Sequence, residues 1–424
     1  MRYVVVGGGP AGISAVEAIR KADPAGTITL VAAEARPALS PVMLSYWASG
    51  RYPEERLLFR ERDSWGEQQR LELRCGRRAT AIDPERHVVS LSCGEAVQYD
   101  RLLVATGALP VIPPIPGIAS KGVYPFRSFA DAQGILTCRP GGGRVALMGG
   151  GFIGIKLACH LQERGIECAV FEKEPRLASR IFDQRGSDIV KAHLRAHGIM
   201  VETGTGVREV EAAEGWVAGV RLEDGRSVPA QVLVAAVGVR PNTALLDAAL
   251  GAVGKTTRGG IPVNDRMETA LPGVYAAGDA VATVDSLTGA SFNNAVWPAA
   301  TRQGAVAGAN MAGGQRRYVH NFSLNAMNLH GLQVASAGHP YDQAGEEIAV
   351  YQEEGPEGYR KAVLKAGELI GFLLIGDASR AGLLLSRMRR RDRIADPAEL
   401  FSRNRHALSG LPPNRGYSHG SLWE

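Results

Sequence analysis

The chain has 424 residues, 45% hydrophobic and 21% charged, the balance of a globular protein of two or three domains. No apolar run approaches the ~20 residues of a membrane-spanning helix, and a glycine pattern that begins at residue 7 leaves no room for a cleaved signal peptide, so a cytoplasmic protein is expected. The net charge is +5, and residues 387–424 hold eight arginines against four acids, which places most of that excess at the end of the chain.

Five cysteines, Cys75, Cys93, Cys138, Cys159 and Cys168, show neither C-x-x-C nor metal-ligand spacing. They read as buried, reduced thiols; no metal site is expected, and any iron–sulfur chemistry must sit on another chain. The basic end suits docking to an acidic partner; a solvated tail is the alternative. Nucleic-acid binding is not expected from Arg387–Arg393, because aromatic interleaving is missing.

Residues 3–6 form a β-branched run that reads as a buried strand. Gly7, Gly9, Pro10, Ala11 and Gly12 follow in the spacing G-x-G-x-x-G, with a helix predicted over 13–21. Gly7 makes the tight turn, Gly9 lets a pyrophosphate approach the backbone, and Gly12 lets helix and strand pack closely. The helix N-terminus offers N–H groups and a positive dipole end to phosphate. A second strand over 27–31 leads to Glu34, 22 residues after Gly12, where an acid binds an adenosine ribose.

Residues 36–66 leave the α/β pattern and lie past the strand ends. Segments 77–83 and 87–92 read as a small inserted layer. A buried strand then ends in Ala105-Thr106-Gly107, and Pro110, Pro113, Pro114 and Pro116 mark a linker. Strand 144–148 runs into Gly149, Gly151, Phe152, Ile153 and Gly154, a second G-x-G-x-x-G, and strand 167–171 ends at Glu172, 18 residues beyond Gly154. Two such units mean two dinucleotides or a duplication with one dead site. Both keep glycines and acid and are read as live. Glu172 repels a 2′-phosphate and favours NAD over NADP; neighbouring Lys173 and Arg176 weigh the other way. The second unit ends at Gly238. Strand 274–277 carries Gly278 and Asp279 at its tip, and 297–311 reads as a helix with one small-residue face. Segments 322–338 and 348–377 read as antiparallel strands, 379–391 as a helix, and 410–424 as an extended end. His320, His330 and His339 read as structural.

Four landmarks in order, the first glycine loop, A-T-G, the second glycine loop and A-G-D, resemble the two-dinucleotide flavoproteins of the pyridine nucleotide-disulfide oxidoreductase fold. The resemblance implies an α/β chain with two Rossmann-like, glutathione-reductase-like domains and a C-terminal α+β domain: FAD-binding 1–112 with 241–318, NAD-binding 113–240, C-terminal 319–386, and a basic helix end and tail over 387–424. It implies FAD on Gly7, Gly9, Pro10, Ala11, Gly12 and Glu34, with Ala79, Ala105, Thr106 and Gly107 along its course. Gly278 and Asp279 would meet the ribityl chain, and Val296 and Trp297 the flavin's pyrimidine edge. NAD would take Gly149, Gly151, Phe152, Ile153, Gly154, Glu172 and Gly238.

The chain departs from the family in three places. Where relatives carry a redox cysteine stands Val42, and valine cannot do thiolate exchange. Where ferredoxin and rubredoxin reductases tend to have lysine stands Tyr46. Where many relatives have glutamate stands Lys156, in the first turns of a helix, where the dipole disfavours a cation. The departure suggests Lys156 near the flavin–nicotinamide contact, stabilising negative charge on reduced flavin; the alternative is a surface lysine or one paired with a neighbouring acid.

The SPVML, GFIGIK, FNNAVWPAA and IGDASRAG segments resemble one subgroup: nitrite reductase flavin modules, rubredoxin reductase, and FAD subunits of anaerobic iron–sulfur complexes such as tungsten aldehyde oxidoreductase and phenylglyoxylate dehydrogenase. The implied function is an NAD(H) oxidoreductase subunit that takes single electrons from a ferredoxin-like iron–sulfur subunit in a hetero-oligomer. Alternatives are a free-standing NADH-dependent ferredoxin or rubredoxin reductase and a flavin-binding redox sensor.

Overall fold

The computed structural model describes residues 1–35, 38–60, 62–137, 143–340 and 347–401. By packing, the chain divides into two compact units. One is Met1–Val111 with Val239–Asn321; the other is Ile112–Gly238 with the described residues from Phe322 onward.

The first unit is built on a five-stranded parallel sheet. Its order is Val274–Ala276, Arg101–Val104, Arg2–Val6, Thr27–Ala32, Leu71–Cys75. Strand Arg2–Val6 is central, and the chain proceeds to opposite sides from it, so its carboxyl end is a topological switch point. Helix Pro10–Ala22 starts there and buries Ile13, Val16 and Ile19. Helix Trp297–Met311 crosses it closely: a Cβ on Gly304 would stand 2.0 Å from Ala11 O, and one on Gly308 2.3 Å from Ala15 O. The small-residue face is thus used for backbone-to-backbone packing. A three-stranded antiparallel layer, Ala79–Asp83, Val88–Leu91 and Ala96–Gln98, forms where the sequence predicts an inserted layer.

The second unit repeats the plan. Its parallel sheet runs Met200–Thr203, Cys168–Glu172, Val145–Met148, Val232–Ala235, Val123–Tyr124, again with the strand before the glycine loop at the centre. Helix Gln184–Ala196 and the antiparallel strands Val207–Ala213, Trp216–Leu222 and Ser227–Pro229 complete this half. The C-terminal strands form a five-stranded antiparallel sheet in the order Leu324–Leu329, Leu332–Gly338, Glu368–Gly376, Gly358–Lys365, Ile348–Gly355. Helix Ala381–Arg390 packs on it through buried Leu384 and Met388.

In the described part of the basic end Asp392 pairs with Arg387 at 3.4 Å and with Arg390, and Arg391 lies 3.9 Å from Glu368. The predicted extended end over 410–424, with Arg415, Tyr417 and Trp423, lies outside the described residues, as do Arg403, Arg405 and Cys138. Of the cysteines, Cys159 and Cys168 are buried, Cys75 is intermediate, and Cys93, in a hairpin turn, is exposed. No helix among the described residues is long and apolar enough to cross a membrane.

Candidate dinucleotide-binding sites

The two glycine loops share one geometry, glycine by glycine. Gly7 has φ +122°, a value that L side chains avoid, and its N–H donates to Val31 O at 2.8 Å. A Cβ there would stand 2.1 Å from Ala105 O, and one on Gly12 1.9 Å from Gly7 O. In the second loop Gly149 has φ +109° and donates to Phe171 O at 2.8 Å; a Cβ on it would lie 2.4 Å from Ala236 O, and one on Gly154 2.2 Å from Gly149 O. The first and last glycines of each loop are therefore steric necessities of the protein itself.

The middle glycines differ. A Cβ on Gly9 or on Gly151 would meet nothing within 4 Å. Each is the N-cap of its helix in extended conformation and, being glycine, has no side chain to occupy the helix end. Each helix therefore begins with unfilled space at its first-turn N–H groups, the positive end that suits an anion such as a pyrophosphate. This is the fit that a bound dinucleotide requires, found twice.

The remaining predicted residues fall around these helix ends. In the first unit the A-T-G turn abuts the loop, with Thr106 Oγ1 donating to Asn242 O at 2.6 Å and Gly107 O accepting from Asn242 N at 2.9 Å. Glu34 is exposed just past strand Thr27–Ala32, and Ala79 is half-buried at the start of its strand. Gly278 is buried and Asp279 half-buried in one 3-10 turn. Val296 is the N-cap of helix Trp297–Met311, and the Trp297 ring stands edge-on to Phe59, 4.8 Å between centroids. Val42, where a redox cysteine would be, is 46% exposed just before helix Met43–Ala48, which carries Tyr46.

In the second unit Glu172 is half-buried. One of its oxygens accepts from Gly150 N at 2.6 Å, the other from Glu174 N at 2.9 Å, so the carboxylate is fixed at the loop. Lys173 turns to Glu223, 3.7 Å away. A carboxylate fixed at this place would repel a 2′-phosphate, while Lys173 and Arg176 stand beside it as in the sequence. Phe152 is half-buried, Ile153 is exposed, and Gly238 is exposed. Lys156 is half-buried in the second turn of helix Phe152–Glu163. On the same helix, burial first and then nearby Glu163 push the Cys159 thiol up to about 12, which makes it inert.

Sequence reading missed two positioning side chains. Gln303, buried, accepts from Gly278 N at 2.8 Å, and Asn293 Nδ2 donates to Asp279 O at 2.9 Å and Val281 O at 2.7 Å. Together they hold the A-G-D turn from both sides. The signal for Gln303 was a polar residue on the small-residue face of a helix. It also missed that Ala236-Val237-Gly238 stands to the second loop as Ala105-Thr106-Gly107 stands to the first.

Two Rossmann-type sheets, each with its own open phosphate cradle, define a two-dinucleotide oxidoreductase. The pyridine nucleotide-disulphide oxidoreductase profile matches residues 1–304, and that of the rubredoxin NAD+ reductase C-terminal domain matches residues 324–392. The chain belongs to the pyridine nucleotide-disulphide oxidoreductase family. It is 32% identical to the NADH-dependent phenylglyoxylate dehydrogenase subunit epsilon of Aromatoleum evansii over 92% of each chain. It is 29% identical to nitrite reductase [NAD(P)H] of Bacillus subtilis over 94% of this chain, and it spans about half (48%) of that relative's length. Among solved structures, a NAD-dependent persulfide reductase from A. fulgidus superposes with a TM-score of 0.83 at 27% identity, over 92% of this chain and 77% of that one. The chain is thus an NAD(H)-dependent flavin oxidoreductase with FAD and NAD(H) as cofactors.

Proposed function

We propose that the chain is the FAD subunit of a cytoplasmic multi-subunit enzyme, taking single electrons from an iron–sulfur subunit and delivering them to NAD. The observation that carries this reading is the end-to-end likeness to the phenylglyoxylate dehydrogenase subunit, 92% of both chains at 32% identity. The match of residues 324–392 to a rubredoxin reductase C-terminal domain supports an iron–sulfur partner and also favours a second reading, a free-standing NADH-dependent rubredoxin or ferredoxin reductase. Valine at position 42 removes the thiol route of the disulfide reductases, which leaves direct electron exchange.

In this reading the first loop holds FAD and the second NAD(H). FAD, when bound, exchanges single electrons with iron–sulfur carriers and a hydride with NAD(H). The protein's part is binding and orientation. The helix ends at Gly9 and Gly151 take the pyrophosphates. Glu34 and Glu172 take the adenosine riboses, and Asp279, held by Asn293, takes the ribityl chain. The N-terminus of helix Trp297–Met311 turns its N–H groups to the flavin's pyrimidine edge. Lys156 is assigned to the flavin–nicotinamide contact; Lys156→Ala should then slow hydride transfer and lower the flavin potential, and unchanged values of both remove it from that role.

The test is gentle native purification of the full-length chain with its companions. An iron–sulfur chain in fixed ratio is the expected result. A lone flavoprotein that reduces rubredoxin or ferredoxin with NADH moves the assignment to the second reading.

A further inference from the structure

The second glycine loop is held by more than its own helix. After Glu172 the chain folds back across the loop. Ala178 N donates to Gly150 O at 3.0 Å, and Leu177 Cδ2 lies where a Cβ on Gly150 would come within 2.6 Å of it. The Phe182 ring meets that of Phe152, 5.8 Å between centroids. Ala178 has φ +41°, the left-handed region, which alanine adopts when its surroundings impose it.

Ala178 O accepts from Ile181 N at 2.7 Å and Phe182 N at 3.0 Å, and the residues on either side are tied to helix Gln184–Ala196 and its cap. Leu177 N donates to buried Ser187 Oγ at 2.9 Å. Buried Asp183 caps the helix, its Oδ1 accepting from Gly186 N at 2.9 Å. Its other oxygen accepts from Lys361 Nζ at 2.8 Å and from the Tyr359 hydroxyl, both on strand Gly358–Lys365 of the C-terminal sheet. Lys361 is 1% exposed. Burial pushes the Asp183 carboxyl up, and the bonds from Lys361, Tyr359 and Gly186 more than reverse that, holding it below the usual carboxylate range. Direct contacts therefore run unbroken from the C-terminal sheet, through Asp183, to the glycine loop. A buried ion pair is a poor choice for stability alone, since apolar residues of the same volume serve as well; its attested use is to fix register and position.

We propose that Lys361 and Tyr359 are positioning residues for the nicotinamide dinucleotide: through Asp183 they hold residues 172–183 against the second loop in the form that receives NAD(H), and so set its affinity. This rests on the reading that the second loop takes NAD(H).

The test uses the full-length holoprotein, with NADH as donor and ferricyanide as acceptor, so that no protein partner is needed. Lys361→Met, of similar volume, should raise the NADH KM and the Kd measured by fluorescence titration at least about tenfold, a small part of what an orphaned buried carboxylate costs. kcat should stay within about twofold and bound FAD should be unchanged, because nothing at the first loop moves. The double variant Asp183→Asn with Lys361→Met leaves no lone charge and keeps a capping side chain, so it should recover part of the affinity. Tyr359→Phe is the milder variant if Lys361→Met fails to fold, and should raise KM about threefold or more through loss of one hydrogen bond to a charged group. Gly151→Ala is the control. If it raises KM while Lys361→Met and Tyr359→Phe only lower the melting temperature, the pair is structural and the proposal falls. If Gly151→Ala leaves KM unchanged as well, the assignment of NAD(H) to the second loop falls instead.

Discussion

Adding one methyl group at either of two glycines three residues apart should do opposite things. Gly151 has φ −74° and open space around its missing Cβ, so Gly151→Ala fits the protein alone. Its stability should fall by no more than about 1 kcal/mol, the cost of alanine in place of glycine at a helix N-cap. The methyl group would occupy the cradle into which a pyrophosphate must come. Losing one charge-assisted hydrogen bond costs roughly 1.5–3 kcal/mol, a rise of about tenfold to one-hundredfold in the NADH KM. At Gly154 the added Cβ would stand 2.2 Å from Gly149 O, a backbone atom with no rotamer to escape into. Gly154→Ala should therefore push helix from strand and cost about 1–3 kcal/mol of stability. Thermal melting and NADH–ferricyanide kinetics on both variants separate the two effects. A Gly151→Ala protein with normal NADH KM would mean that the nucleotide does not enter the space at Gly151, and one that melts as early as Gly154→Ala would mean that this space is not open.

Other outcomes follow from the same geometry. Glu172→Gln removes the repulsion of a 2′-phosphate while keeping an acceptor for Gly150 N, so the ratio of NADH to NADPH efficiency should fall about tenfold or more; an unchanged ratio would mean that the carboxylate does not face the ribose. Asn293→Ala frees Asp279 O and Val281 O, and FAD should dissociate more readily on dilution, read as lost flavin absorbance after gel filtration. Because the Asp183 pKa is depressed, its stabilisation is complete above about pH 4 and is lost as pH falls through the lowered value. The destabilisation of Asp183→Asn, about 3–5 kcal/mol for a broken buried pair, should thus be largest at neutral pH and shrink in acid, measured by urea melts from pH 7 downward. In the native protein Cys93 should react with a thiol reagent while Cys159, pushed up to about 12, and buried Cys168 should not, as mass spectrometry of the labelled sites would report.

What was legible in the sequence was local. Each glycine loop is a run of six residues whose spacing states its own steric reasons, and the structure returns those reasons as Cβ distances at Gly7, Gly12, Gly149 and Gly154. Helix Trp297–Met311 was legible because its small residues recur on one face, and Gly304 and Gly308 use that face against Ala11 and Ala15. The clamps were hidden because they join residues far apart in the chain. Asp183 meets Lys361, 178 positions on, and no pattern near either residue announces the other. Gln303 and Gly278 are related in the same way. The pairing of Asp392 with Arg387 and Arg390 was hidden as well, since composition counts charges without placing them. Reading all cysteines as buried failed at Cys93, whose place is set by a hairpin turn and not by its own hydrophobicity.

In the proposed function, single electrons from an iron–sulfur carrier are collected on FAD and leave as a hydride to NAD. The direct measurement is anaerobic stopped-flow mixing of the FAD-loaded protein and NAD+ with a chemically reduced ferredoxin-type protein, following NADH absorbance. NADH should appear at a catalytic rate, saturating in the iron–sulfur protein and weakened by salt. NADH oxidation that proceeds with ferricyanide while reduced iron–sulfur protein yields no NADH would contradict it.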